Sequence, residues 1–398
     1  MSQARIVPAV LPVQSRPLVL TEAISIPRVL WLMVAGMFLA LVGGTWDFAW
    51  HMSIGRDSMW VPPHIMVQVG GILVGIASAY VILAATLGST SVRDASVQVL
   101  GLRGPGGAFI ALWGSVAIFA SEPFDNWWHN AYGLDVKMIT PPHSLLFLGS
   151  LAAKVGALAW IASAMSHSVD ALRGRLRWLF LFVGSLGLIQ FAKLIIVATL
   201  TENMHTAACY LAVAVFIPSI LVATGWGAAH KWGCTIGAAI YTAIGLGSEW
   251  LLPLFPAQPK LGPVYHNVTH LIPVGFPLLL IVPAFVADLV LQRLQQLQQR
   301  SSWFKALCVG PAFLLSFIAV QWPFANFLMS PASRNWVFGT AYFAYGDPAG
   351  FLYDPYKFAV AEKTTGAFLI TMIIAFVASI VTTRFGLAWG DWMRRVRR

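Results

Sequence analysis

Charge is scarce in this chain. Only 10% of its 398 residues are charged, while 58% are hydrophobic. Soluble domains carry about 25% charged residues, so the composition points away from a soluble fold and towards a membrane. Cysteine is scarce too: Cys209, Cys234 and Cys308 are scattered with no CxxC pair. That argues against a disulfide framework or a cysteine zinc site. HExxH, GxSxG, GxxxxGK[ST] and CxxCH are all missing. Zincin proteolysis, serine hydrolysis, nucleotide hydrolysis and c-type haem attachment lose their signatures. Residues 1–26 lack an apolar core ending in small residues, so they read as a retained tail.

What the chain has in abundance is long apolar runs. A membrane helix needs about 20 such residues. Ten runs qualify, near 27–50, 63–88, 105–122, 142–166, 176–200, 206–226, 233–253, 268–292, 305–322 and 364–385. The reading is an all-α, polytopic membrane bundle with lipid as its main neighbour. The net charge of +10 would suit nucleic acid, but its distribution does not. Arg93, Arg103, Arg173, Arg175, Arg177, Lys231, Arg293, Arg300, Lys305 and the C-terminal arginines fall on alternate connections, with the N-terminal tail. The positive-inside rule makes that side and both termini cytoplasmic. A bacterial inner (plasma) membrane is expected, and no nucleic-acid partner. Five segments follow: the tail 1–26, paired hairpins 27–166, further helices 167–292, a polar linker 293–304, and a terminal helix pair with a long loop at 305–398.

Most histidines fall on the opposite, external side. There the chain repeats a phrase. DFAWHMSIGRDSMWVPPH spans residues 47–64, and DNWWHNAYGLDVKMITPPH spans 125–143. Each gives Asp, Trp-His, Gly, Asp and Pro-Pro-His in order. Asp47 and His51 are four apart, as are Asp125 and His129, so each pair shares a helix face. Pro-Pro suits the first turn of a returning helix, with His64 or His143 at its mouth. Each hairpin can therefore bring one carboxylate and two imidazoles to one point. Such a set, with open positions for water, oxygen or substrate, suits copper and also iron or zinc. Asp57 and Asp135 could fix an imidazole tautomer, and Trp50 and Trp128 could limit water access. The alternative is a duplicated structural hairpin with interfacial aromatics and no metal.

At these residues the chain resembles the C subunit of particulate methane monooxygenase and ammonia monooxygenase, the copper-dependent membrane monooxygenases. Asp47, His51 and His64 match the family's Asp-x3-His-x12-His site. Asp125, His129 and His143 match its second spacing, with Asp125 standing where the family has Asn. Arg56-Asp57 and the proline before His64 also fit. The likeness covers roughly residues 27–165, and this chain is much longer than a C subunit. It implies copper at one or both sets, dioxygen activation and oxidation of a small apolar substrate or ammonia. It also implies partner subunits, including a soluble copper domain that this sequence does not contain.

Other polar positions invite functions. Glu249 with His266 and His270 could hold a third metal, or hydrogen-bond between helices. Lys193 could pair with Glu202 or another external acid. Lys154 has no evident partner and could snorkel to an interface. Against the monooxygenase-like oxidoreductase stand two other expectations. One is a copper-handling or transport protein without turnover. The other is a haem-binding electron-transfer protein using the paired histidines as axial ligands. Homo-oligomerisation is compatible with each.

Overall fold

The computed structural model describes residues 27–397 except 56–58, 89–95, 134–138, 200–203, 205, 261–266 and 346–363. Ten α-helices dominate the described residues: α1 (Arg28–Ser53), α2 (Pro62–Leu87), α3 (Gly106–Tyr132), α4 (Pro141–Ser166), α5 (Asp170–Thr199), α6 (Ala207–Gly227), α7 (Gly233–Leu251), α8 (Ile281–Gln296), α9 (Ser302–Leu328) and α10 (Thr365–Arg395). A short antiparallel hairpin, β1 (Val97–Val99) and β2 (Leu102–Gly104), precedes α3. Eight helices are long and apolar enough to cross a membrane, all but α7 and α8. The chain is a multi-pass integral membrane protein.

Small residues set the helix spacing in the first four helices. A methyl at Gly36 would sit 2.7 Å from the Gly70 carbonyl oxygen, so α1 and α2 touch backbone to backbone. Gly114 and Gly149 do the same for α3 and α4, with 2.6 Å from the Gly114 position to the Gly149 oxygen. Association within lipid depends on such close approach, because apolar side chains gain little by leaving an apolar solvent. The prolines fall as expected: Pro62-Pro63 and Pro141-Pro142 open α2 and α4. α5 is the most enclosed helix, with Leu176, Leu181, Val183, Leu186 and Ile189 at zero exposure.

The apolar run at 268–292 is not one helix. α8 begins only at Ile281, and 271–280 is irregular, non-helical backbone. Pro273 and Pro277 disfavour helix in the residues before them and lack an N–H. Gly275 between them takes φ +132°, a conformation that favours glycine. Side chains supply what the helix would have supplied. Ile272 N–H donates to Ser53 Oγ (2.8 Å), Gly275 N–H to Glu249 Oε1 (3.2 Å) and Phe276 N–H to the Tyr345 hydroxyl (2.7 Å). Leu278 N–H donates to the Tyr241 hydroxyl (2.8 Å), and Leu279 N–H to Gln321 Oε1 (3.0 Å). No residue of the segment is exposed. Irregular backbone at membrane depth is tolerable only when enclosed and satisfied in this way.

Lys154 does not snorkel. It is 3% exposed. Its ammonium donates to Ser150 Oγ (2.6 Å) and to Gln190 Oε1 of α5 (2.7 Å). Lys193 donates to the Thr45 hydroxyl of α1 and interacts electrostatically with Glu249. Glu202 lies outside the described residues.

Candidate metal centre

Both copies of the repeated phrase sit at helix ends on paired hairpins. α1 runs to Ser53, so Asp47 and His51 occupy its last two turns, and His64 is the third residue of α2. α3 runs to Tyr132 and carries Asp125 and His129, and His143 is the third residue of α4. The Thr140 hydroxyl accepts the His143 backbone N–H at 3.4 Å, capping α4.

In the first set, His64 Nε2 lies 2.9 Å and His51 Nε2 3.4 Å from Asp47 Oδ1. The two imidazole centroids are 5.8 Å apart. One donor atom from each of the three residues lies within 4.8 Å of the others. Donors about 2 Å from a common ion stand at most about 4 Å apart, so small side-chain rotations would close the set. Asp47 Oδ1, His51 Nδ1 and His64 Nδ1 are buried without an aligned hydrogen bond. Buried polar atoms are rarely left so, and a bound cation would engage the Asp47 oxygen together with the two imidazole nitrogens beside it. The donor chemistry fits copper and also zinc or iron.

The second set is looser. His129 Nε2 lies 3.1 Å from Asp125 Oδ2, and His143 Nε2 lies 3.5 Å from Asp125 Oδ1. Among the described residues, only the first set draws three such donors together within 4.8 Å. His129 Nδ1 is 3.3 Å from the Gly133 carbonyl oxygen. That contact suits an Nδ1–H donor and leaves Nε2 for a ligand role. Asp125 Oδ1 is another buried, unaligned oxygen. The two sets are neighbours, since Glu122, one turn before Asp125 on α3, lies 3.0 Å from His64 of the first set.

Trp50 packs edge-on against Trp46, and Trp128 packs against Tyr132 at 4.5 Å. Both are half-buried beside their histidines. Asp57 and Asp135 lie outside the described residues. So does His266, which leaves the third set without a described partner from that residue. Of its other members, Glu249 is buried and accepts from Gly275. His270 stacks on Tyr342 with centroids 3.7 Å apart.

One carboxylate escaped the sequence reading. Glu122 Oε1, on α3, lies 3.0 Å from His64 Nδ1. It tops a polar seam between α2 and α3. Ser115 Oγ donates to the Gly71 carbonyl (2.7 Å), and Gln68 Nε2 donates to the Ile118 carbonyl (3.2 Å). Each step of three or four residues along α2 is matched by an equal step back along α3. The available signal was an acid three residues before Asp125, on the same face of a helix apolar over its first half.

No protein-family model, curated protein or solved structure matches this chain.

Proposed function

We propose that this chain is a copper-binding membrane protein whose first set, Asp47/His51/His64, is its principal metal site, and that it supports monooxygenase-type oxidation of a small apolar substrate or ammonia. The observation that carries the reading is the convergence of the three donors within 4.8 Å at the end of a helical hairpin. The monooxygenase part rests on the resemblance of the two ligand spacings. Bound copper would supply the redox chemistry that activates dioxygen. The chain's own residues would hold and orient it: Asp47 by charge, His51 and His64 through ring nitrogens. The lipid-facing helices α1–α4 would give an apolar substrate a direct approach. The sites would face the external side, with other subunits, including a soluble copper domain, as partners.

A second reading is copper capture without turnover. Among the described residues the metal-holding group lies at one end of the bundle, with no counterpart towards the other. That favours holding over permeation.

Elemental mass spectrometry on protein from copper-replete membranes tests the site, beside a His51→Ala/His129→Ala variant. Copper present in the parent and absent from the variant is the expected result. A parent free of copper, zinc and iron would make the repeat a structural hairpin. An oxygenation assay on the copper-loaded parent then separates turnover from capture.

A further inference from the structure

We propose that Glu122 is a positioning residue for the first set, fixing the tautomer and ring plane of His64 so that Nε2 faces the ion. The inference rests on reading Asp47/His51/His64 as a metal site. A neutral imidazole carries one N–H. If Nε2 is the ligand, that hydrogen must sit on Nδ1. His64 stands between two carboxylates, with Nε2 2.9 Å from Asp47 Oδ1 and Nδ1 3.0 Å from Glu122 Oε1. The pair is close but not aligned as a hydrogen bond, and a small rotation of the ring would let Glu122 accept Nδ1–H. A carboxylate behind a ligating imidazole holds its orientation and raises its basicity.

Glu122 is itself held. Gln68 Nε2, anchored on the Ile118 carbonyl, reaches Glu122 Oε2 at 3.5 Å. Gln68 and His64 are one turn apart on α2, so the same helix face presents the ligand and the clamp for its support. A carboxylate in an apolar span is costly unless it has such a use, and Glu122 is 9% exposed.

The device works in one direction. Glu122 stands three residues before Asp125, and the matching position before Asp47 is Gly44. A methyl at Gly44 would meet nothing within 4 Å. The second hairpin thus lends a carboxylate to the first set, and α1 has none to return from that position. The duplicated sets are inequivalent, and the first is the tighter.

The test uses full-length protein carrying His129→Ala, so that the first set alone is read. Copper(II) is titrated against a competing chelator, with visible and electron paramagnetic resonance spectra recorded. Glu122→Leu should weaken binding by about 10–100-fold and reduce the imidazole nitrogen signature of the bound ion. Glu122→Gln, which keeps an acceptor, should fall between. The unfolding midpoint without metal should fall by no more than a few degrees, the loss of one contact among the three of the seam. Equal affinity in all three proteins would overturn the role of Glu122 while leaving the metal site standing. A midpoint that collapses together with affinity would make Glu122 merely structural and overturn the proposal as well. A His129→Ala parent that binds no copper would instead sink the reading on which it rests.

Discussion

The Tyr345 hydroxyl accepts the Phe276 N–H at 2.7 Å and donates to the Phe338 carbonyl at 2.9 Å. One phenol oxygen thus fastens the irregular segment 271–280 to the loop that follows α9. Tyr345→Phe deletes that oxygen and little else. A buried donor left unsatisfied costs about 1–3 kcal/mol. Thermal unfolding in detergent should show a loss of that size. An unchanged midpoint would mean the segment finds other support.

Asp47→Asn keeps the shape of the first set and removes its charge. Copper retained by a His129→Ala protein should fall to background on this change, while helical circular dichroism stays at the parent level. Retained copper would place the ion on other groups.

The α3–α4 crossing positions Asp125 against His143 without contributing a ligand. Gly114→Val would drive a branched side chain into the Gly149 carbonyl and Ala153 backbone. Overpacking of this kind costs about 1–3 kcal/mol. The expected outcome is a lower unfolding midpoint and weaker metal binding at the second set in a His51→Ala background. Gly174→Ala, where nothing stands within 4 Å, should change neither.

His230 gives the fold a pH dependence away from the metal sets. Its Nδ1 accepts the Trp232 N–H at 3.1 Å, which requires that nitrogen to be unprotonated. Burial, then the charges of Arg177 and Lys231, hold its imidazole below the usual histidine range, against the pull of Asp288. The unfolded chain therefore binds the proton more readily. Stability from this residue is fully present above about pH 6.5 and declines as pH falls from there down through the lowered folded value. His230→Gln should flatten that decline in a pH series of unfolding midpoints. A parent and variant with parallel profiles would refute it.

The hairpins were legible because their signals are local. Pro-Pro marks a helix start, and four-residue spacing marks a shared face, so Asp47, His51 and His64 could be brought together on paper. Glu122 was not legible because it lies outside the repeated pattern, with Gly44 at the matching position, and its partner His64 stands on another helix. The irregular stretch was hidden by hydropathy, which scores Leu271–Leu280 as helix-like, while Pro273, Gly275 and Pro277 together disfavour helix there. Its satisfaction depends on Ser53, Tyr241, Glu249, Gln321 and Tyr345, which are remote in sequence. Lys154 was misread for the same reason, since Gln190 reaches it from another helix.

The matched steps of the α2–α3 seam make it a key with three teeth. Smooth apolar faces can slide by a turn, about 5.4 Å, and repack at modest cost. Here such a slide would unmesh Gly71 from Ser115, Gln68 from Ile118 and His64 from Glu122 in a single motion. The depth of the bundle thereby dictates the alignment at its rim, and any force that shifted α3 along its axis would be felt first as a change in how His64 sits between Asp47 and Glu122.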